Sequence, residues 1–151
     1  MNLEGVPAIV TGGASGLGEA TARLLAEHGA KVTIFDVQLE KAKLIADEIG
    51  GLAISCDVTS PDSAEHAFEQ AKKAHGSCGI AVNCAGIGVP SKILGKEGTM
   101  PLDFFNKVIA VNLSGSFNIL RLAAAQMQER ETNADGERGV IISTASVAAY
   151  E

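Results

Sequence analysis

Ala8-Ile9-Val10-Thr11-Gly12-Gly13-Ala14-Ser15-Gly16-Leu17-Gly18 is an apolar, strand-like run that enters a glycine-rich turn. Gly12, Gly16 and Gly18 have the spacing that lets a backbone turn tightly and approach a pyrophosphate. The same spacing aims free N–H groups at it from the start of the next helix. Residues 7–11 read as a strand, and 19–27 as a helix with Ala20, Leu24 and Leu25 on one face. A second strand over 31–35 ends on Asp36. That residue lies roughly 20 positions past the loop, where a dinucleotide fold places an acid to accept ribose hydroxyls. Glycine triplets also occur in plain turns. Strand, loop, helix, strand and terminal Asp in this order point instead to a bound dinucleotide.

Asp36 also bears on the choice of dinucleotide. A carboxylate there repels a 2′-phosphate, and neither Ser15 nor Val37 supplies a positive charge to hold one. NAD is therefore expected over NADP.

The chain has 151 residues, enough for one domain with a core, and 46% of them are hydrophobic. The net charge of −6 argues against nucleic acid or an anionic membrane as a general partner. No apolar run is expected to reach a membrane span, and residues 1–6 are too short and too acidic for a targeting peptide. The three cysteines, Cys56, Cys78 and Cys84, form no C-x-x-C pair. Reduced thiols and cytoplasmic residence are the expectation, with Cys56 and Cys84 as small buried hydrophobes. His28, His66 and His75 lie on helix-patterned stretches without ligand spacing and read as surface residues.

Apolar runs of strand length alternate with helical patterns. The spacing predicts strands over 8–11, 31–35, 52–56, 80–83 and 139–143, and helices over 17–28, 38–49, 61–75 and 102–130. Alternation of this kind predicts a Rossmann-type α/β fold, a doubly wound parallel sheet with helices on both faces. Ligands in such sheets bind at the carboxyl ends of the strands, and there lie Gly12, Asp36, Asp57, Ala85 and Ser146. Residues 86–101 and 131–138 are expected as loops. Lys92, Lys96 and Arg138 read as solvated charges on them.

These motifs together resemble the short-chain dehydrogenases/reductases. Thr11-Gly12-Gly13-Ala14-Ser15-Gly16-Leu17-Gly18 matches that family's T-G-x-x-x-G-x-G. Asp57-Val58 matches its adenine-contacting pair, and Asn83-Cys84-Ala85-Gly86 its N-N-A-G, with Cys for the second Asn. Asn112 in Val111-Asn112-Leu113 matches the catalytic Asn, and Ser146 in Thr144-Ala145-Ser146 the catalytic Ser. Further wording is similar to the branch of the family acting on 3-hydroxyacyl-CoA thioesters, including Val82-Asn83-Cys84-Ala85-Gly86-Ile87, Gly139-Val140-Ile141-Ile142 and Thr144-Ala145-Ser146-Val147-Ala148-Ala149.

The resemblance implies NAD-linked interconversion of a 3-hydroxyacyl-CoA and its 3-ketoacyl-CoA. It implies that Ser15 and Leu17 contact the pyrophosphate and ribose through the loop backbone. Asp36 would bind the adenosine ribose, and Asp57 and Val58 would bracket the adenine. Cys84, with Ala85 and Gly86, would line the nicotinamide-side ribose. Ser146 would hydrogen-bond the substrate oxygen, and Asn112 would hold a water in the proton relay. The helix over 102–130 would pack against a partner subunit in a homo-oligomer, through Phe105, Ile109, Phe117, Leu120 and Met127.

The sequence departs from the family in one respect. The Tyr-x-x-x-Lys that takes the hydroxyl proton, about a dozen residues past the catalytic Ser, does not occur. The one tyrosine, Tyr150, is four residues past Ser146 and is followed only by Glu151. The expectation is an incomplete domain, truncated after the fifth strand, that does not turn over substrate alone. Its last strand would then be an exposed apolar edge. A non-catalytic NAD-binding or interaction module is the alternative, and Ser146 and Asn112, which a pure binder does not need, count against it. The T-G-x-x-x-G-x-G spacing counts against a methyltransferase-like fold.

Overall fold

A computed structural model of the chain describes residues 2–88, 91–96 and 98–146. In chain order the elements are β1 (Pro7–Thr11), α1 (Gly16–Glu27), β2 (Lys31–Asp36), α2 (Leu39–Ile49), β3 (Leu52–Ser55), α3 (Pro61–His75), β4 (Ile80–Asn83), β5 (Leu94–Gly95), β6 (Gly98–Thr99), α4 (Leu102–Ile109), a π-helical segment (Ala110–Gly115), α5 (Ser116–Gln128) and β7 (Val140–Ser143). Five strands form one parallel sheet in the order β3-β2-β1-β4-β7. The chain steps outward from β1 to β3, then returns to place β4 on the other side of β1. That reversal opens a crevice at the carboxyl ends of β1 and β4.

Alternation along each strand divides the core between the two faces of the sheet. Ile9, Phe35, Ile54 and Ala81 meet Phe68 of α3 and Ile119, Ala123 and Met127 of α5. Ala8, Val10, Val32, Ile34, Ile80 and Val82 meet Ala22 of α1 and Ala42, Ile45 and Ala46 of α2. Phe35 and Phe68 pack edge to face, with ring centroids 5.4 Å apart. Ser60 caps α3 by accepting the Ser63 N–H, and Pro61 occupies its first turn.

Several expectations are corrected. The buried face of α1 runs through Gly18 and Ala22, with Leu25 partly buried against the same core; Ala20 and Leu24, the latter 55% exposed, lie off it, so of the Ala20, Leu24, Leu25 pattern only Leu25 packs inward. The loop over 86–101 contains the antiparallel hairpin β5–β6, with Leu94 opposite Thr99. His75 is half-buried, and its Nδ1 lies 3.2 Å from the Thr33 hydroxyl. Burial and the nearby Lys31 charge hold it below the ordinary histidine value.

The long helix is continuous over Leu102–Gln128, 27 residues, and contains an 18-residue stretch of mean hydropathy 1.4. By length and composition it reaches a membrane span, which corrects the expectation that no apolar run does. One face packs on the sheet through Ile119, Ala123 and Met127. Met127 is therefore core and does not belong to the exposed stripe. That stripe is Phe105, Ile109, Leu113, Phe117 and Leu120, spaced by three or four residues along one side. Val140 and Ile142 of the edge strand β7 are also exposed, as expected. Tyr150 and Val147, Ala148 and Ala149 lie outside the described residues.

Candidate functional site

The crevice at the strand ends is a cleft of about 530 Å³. Gly12, Ser15, Gly16, Leu17 and Gly18 form its floor, Asp36 one wall, and Asp57 and Val58 the adjoining wall. Cys84, Ala85 and Gly86 line the opposite side. Every residue that the sequence assigned to cofactor contact therefore meets in one cavity.

Backbone bonds from neighbouring strands shape the glycine turn. The Gly12 N–H donates to the Phe35 carbonyl at 2.8 Å. The Thr11 hydroxyl oxygen accepts the N–H groups of Cys84 and Ala85 at 3.2 and 3.1 Å, locking the end of β1 to the end of β4. Gly12 has φ +66, and a Cβ there would lie 2.8 Å from the Ala85 Cα. A Cβ on Gly18 would run into the Gly12 carbonyl oxygen. Gly16 differs: its φ is +56 but nothing lies within 4 Å of where its Cβ would be. Its open side belongs to the cleft, at the first residue of α1, where helix N–H groups await an anion. The cradle thus fits a diphosphate sterically.

Asp36 is 8% exposed. Its Oδ2 accepts the Ala14 N–H at 3.0 Å and its Oδ1 the Gln38 N–H at 2.8 Å. Each carboxylate oxygen accepts more than one bond, so capacity remains for ribose hydroxyls. Asp57 Oδ1 accepts both the N–H and the hydroxyl of Thr59, forming a tight Asx turn. Burial, with the Asp57 charge beside it, pushes the Cys56 thiol up to about 11. Burial pushes Cys78 up to about 12 and raises Cys84. Cys56 is buried as expected, while Cys84 is only half-buried because it lines the cleft.

Asn112 sits in the π-helical segment. Its Oδ1 accepts the Ile87 N–H at 2.9 Å, and its Nδ2 donates to the Ile87 carbonyl at 2.8 Å. The amide so imitates a strand partner and fixes the chain just past Gly86. The Asn112 carbonyl accepts the Ser116 hydroxyl at 2.7 Å. Asn83 reaches the Ser116 carbonyl and the Ser143 hydroxyl at 3.4 Å each, and its Oδ1 is buried without a hydrogen-bond partner among the described residues. Ser146 follows β7 on the same side of the sheet but is exposed and does not line the cleft. Of the two residues assigned to catalysis, Asn112 is bonded to Ile87, which lines the cleft, whereas Ser146 does not line it.

Lys107, Gln38, Val37, Ile87 and Val111 also line the cleft, and sequence reading did not name them as site residues. Lys107 carried no signal, since a charge on an amphipathic helix reads as a solvated face.

Residues 7–151 match the short chain dehydrogenase family. The chain belongs to this family of oxidoreductases. It is 44% identical over 154 residues to the 3-hydroxyacyl-CoA dehydrogenase type-2 of Homo sapiens, matching 99% of this chain and 59% of that protein. It is 41% identical to the mitochondrial borneol dehydrogenase of Lavandula x intermedia, over 97% of this chain and 53% of that one. The crystal structure of 3-hydroxyacyl-CoA dehydrogenase type-2 from Mycobacterium avium superposes with a TM-score of 0.89 at 42% identity, covering 97% of this chain and 58% of that chain. The chain thus spans about 59% of the length of the type-2 relatives it matches.

Proposed function

We propose that this chain is the NAD-binding part of a dehydrogenase that interconverts 3-hydroxyacyl-CoA and 3-ketoacyl-CoA. The observation that carries it is the cleft itself: a glycine turn open at Gly16, closed at one end by the Asp36 carboxylate. Asp36, with no cation at Ser15 or Val37, favours NAD over NADP. The acyl-CoA substrate follows from the names of the type-2 relatives.

Bound NAD supplies a nicotinamide ring that takes up hydride from the substrate carbon. The chain's residues bind and orient. Backbone N–H groups at the start of α1 hold the diphosphate, Asp36 the ribose, Asp57 and Val58 the adenine, and Cys84, Ala85 and Gly86 the second ribose. Ser146 donates a hydrogen bond to the substrate oxygen. Asn112, anchored on Ile87, would hold a water of the proton relay once a proton acceptor is in place. No Tyr-x-x-x-Lys is present to accept the hydroxyl proton, so these 151 residues alone bind NAD without turnover.

The exposed stripe from Phe105 to Leu120 supports a homo-oligomer through the long helix. Three cysteines outside any disulfide support a reducing compartment such as the cytoplasm. The test is titration with NADH and NADPH, followed by an assay with acetoacetyl-CoA. Tight NADH binding, weak NADPH binding and no NADH oxidation are expected; equal binding of both dinucleotides refutes the NAD assignment, and steady oxidation refutes the claim of inactivity.

A further inference from the structure

Asn118 is buried in α5, away from the cleft surface, yet its side chain reaches the cleft wall from behind. Its Nδ2 donates to the Val58 carbonyl at 2.9 Å and lies 3.4 Å from the Ser60 carbonyl. Its Oδ1 accepts the Arg121 Nε–H at 2.9 Å, and Arg121 Nη2 donates to Glu65 at 2.9 Å. Arg121 is a donor only, so its contact sets which end of the amide faces Val58. Gly115, in the preceding turn, is pressed against the same residue: a Cβ there would lie 2.6 Å from Val58 Cγ2.

The bonds of the Asp57–Ser60 strip with itself and with the first turn of α3 are local. Thr59 N–H donates to Asp57 Oδ1, Ser60 N–H to the Asp57 carbonyl, and Asp57 N–H to Ser63 Oγ. They define the shape of the turn, whose near end is tied to β2 by the Cys56 N–H on the Asp36 carbonyl at 3.2 Å. Asn118 and Gly115 tie the Val58–Ser60 end, because they belong to the helix that also carries Asn112.

We propose that Asn118 is a positioning residue for the adenine wall, holding Asp57 and Val58 where they discriminate one purine base from another. The proposal rests on the reading of the cleft as an adenine-dinucleotide site. Arg121 and Glu65 form the outer end of the same chain of contacts and keep the amide in register. Loss of the Asn118 amide frees the strip and blunts base selection while the glycine turn and Asp36 stay in place.

The test measures dissociation constants for NADH and for its hypoxanthine analogue by nicotinamide fluorescence, in a chain that has no tryptophan to interfere. Wild type is expected to prefer the adenine form. Asn118→Ala is expected to bind NADH about five- to tenfold more weakly and to lose the base preference to within about twofold. Arg121→Leu, at the exposed end, is expected to lose part of the preference. A folded Asn118→Ala chain with wild-type base preference overturns the proposal, as does a wild type that binds both forms equally. If Asn118→Ala does not fold, Arg121→Leu decides, and an unchanged preference there overturns it. A wild type that binds neither form refutes the dinucleotide reading itself, a result distinct from the others.

Discussion

The Asp36 carboxylate accepts the buried N–H of Ala14, 22 residues earlier in the chain, at 3.0 Å. The end of β2 thereby holds the glycine turn that follows β1. On the proposed NAD reading, the residue that would select the ribose also fixes the shape of the loop that would meet the diphosphate.

Asp36→Ala should therefore lose more than ribose recognition. With the buried Ala14 N–H left unpaired, unfolding free energy should fall by about 1–3 kcal/mol, and NADH affinity by more than about tenfold. Urea unfolding and NADH titration check both. An Asp36→Ala chain as stable as wild type would show that the Ala14 bond contributes nothing.

Burial raises all three thiols, so each is mostly protonated at neutral pH and slow to react. Cys84, half-buried on the cleft, should be the one a maleimide reaches first, and NADH should protect it. Intact mass after timed labelling at pH 7.5 distinguishes one adduct from several. Faster modification of Cys78 than of Cys84 would contradict the described burial.

His75 is held below its ordinary value of 6.5 by burial and by the Lys31 charge. The unfolded chain then takes up the proton first as pH falls. The contribution of His75 is fully present above about 6.5 and is lost as pH drops below it towards the folded value. Melting temperature should decline between about pH 7 and pH 5, and His75→Gln should decline less. Parallel curves for the two proteins would remove His75 from the account.

Phe117 is 63% exposed in the middle of the apolar stripe on the long helix. On the proposed assembly, Phe117→Arg should shift the chain towards monomer while moving stability little, since the side chain has little intramolecular burial to lose. Light scattering after size exclusion gives the mass. An unchanged oligomer, or a wild type that is already monomeric at about 0.1 mM, counts against an interface on this face.

Local periodicity determined much of this protein. The five strands of the main sheet fall where alternation and apolar runs place them, because a strand covered on both faces needs a continuous apolar stretch. The glycine turn and the place of Asp36 at the end of β2 were legible for the same reason: both depend on backbone geometry over a few residues. Other features depend on partners far along the chain. The Asn112 clamp on Ile87, the Asn118 support behind Val58 and the Thr33 partner of His75 each join residues 25 or more positions apart. No local pattern encodes such pairings. They exist because sheet order brings helix faces and strand ends together, and a buried polar group then takes the partner that packing offers. The sequence by itself determined the alternating fold and the glycine turn; only the tertiary structure decided which polar side chains hold the cleft walls, since burial and orientation are set by packing between elements.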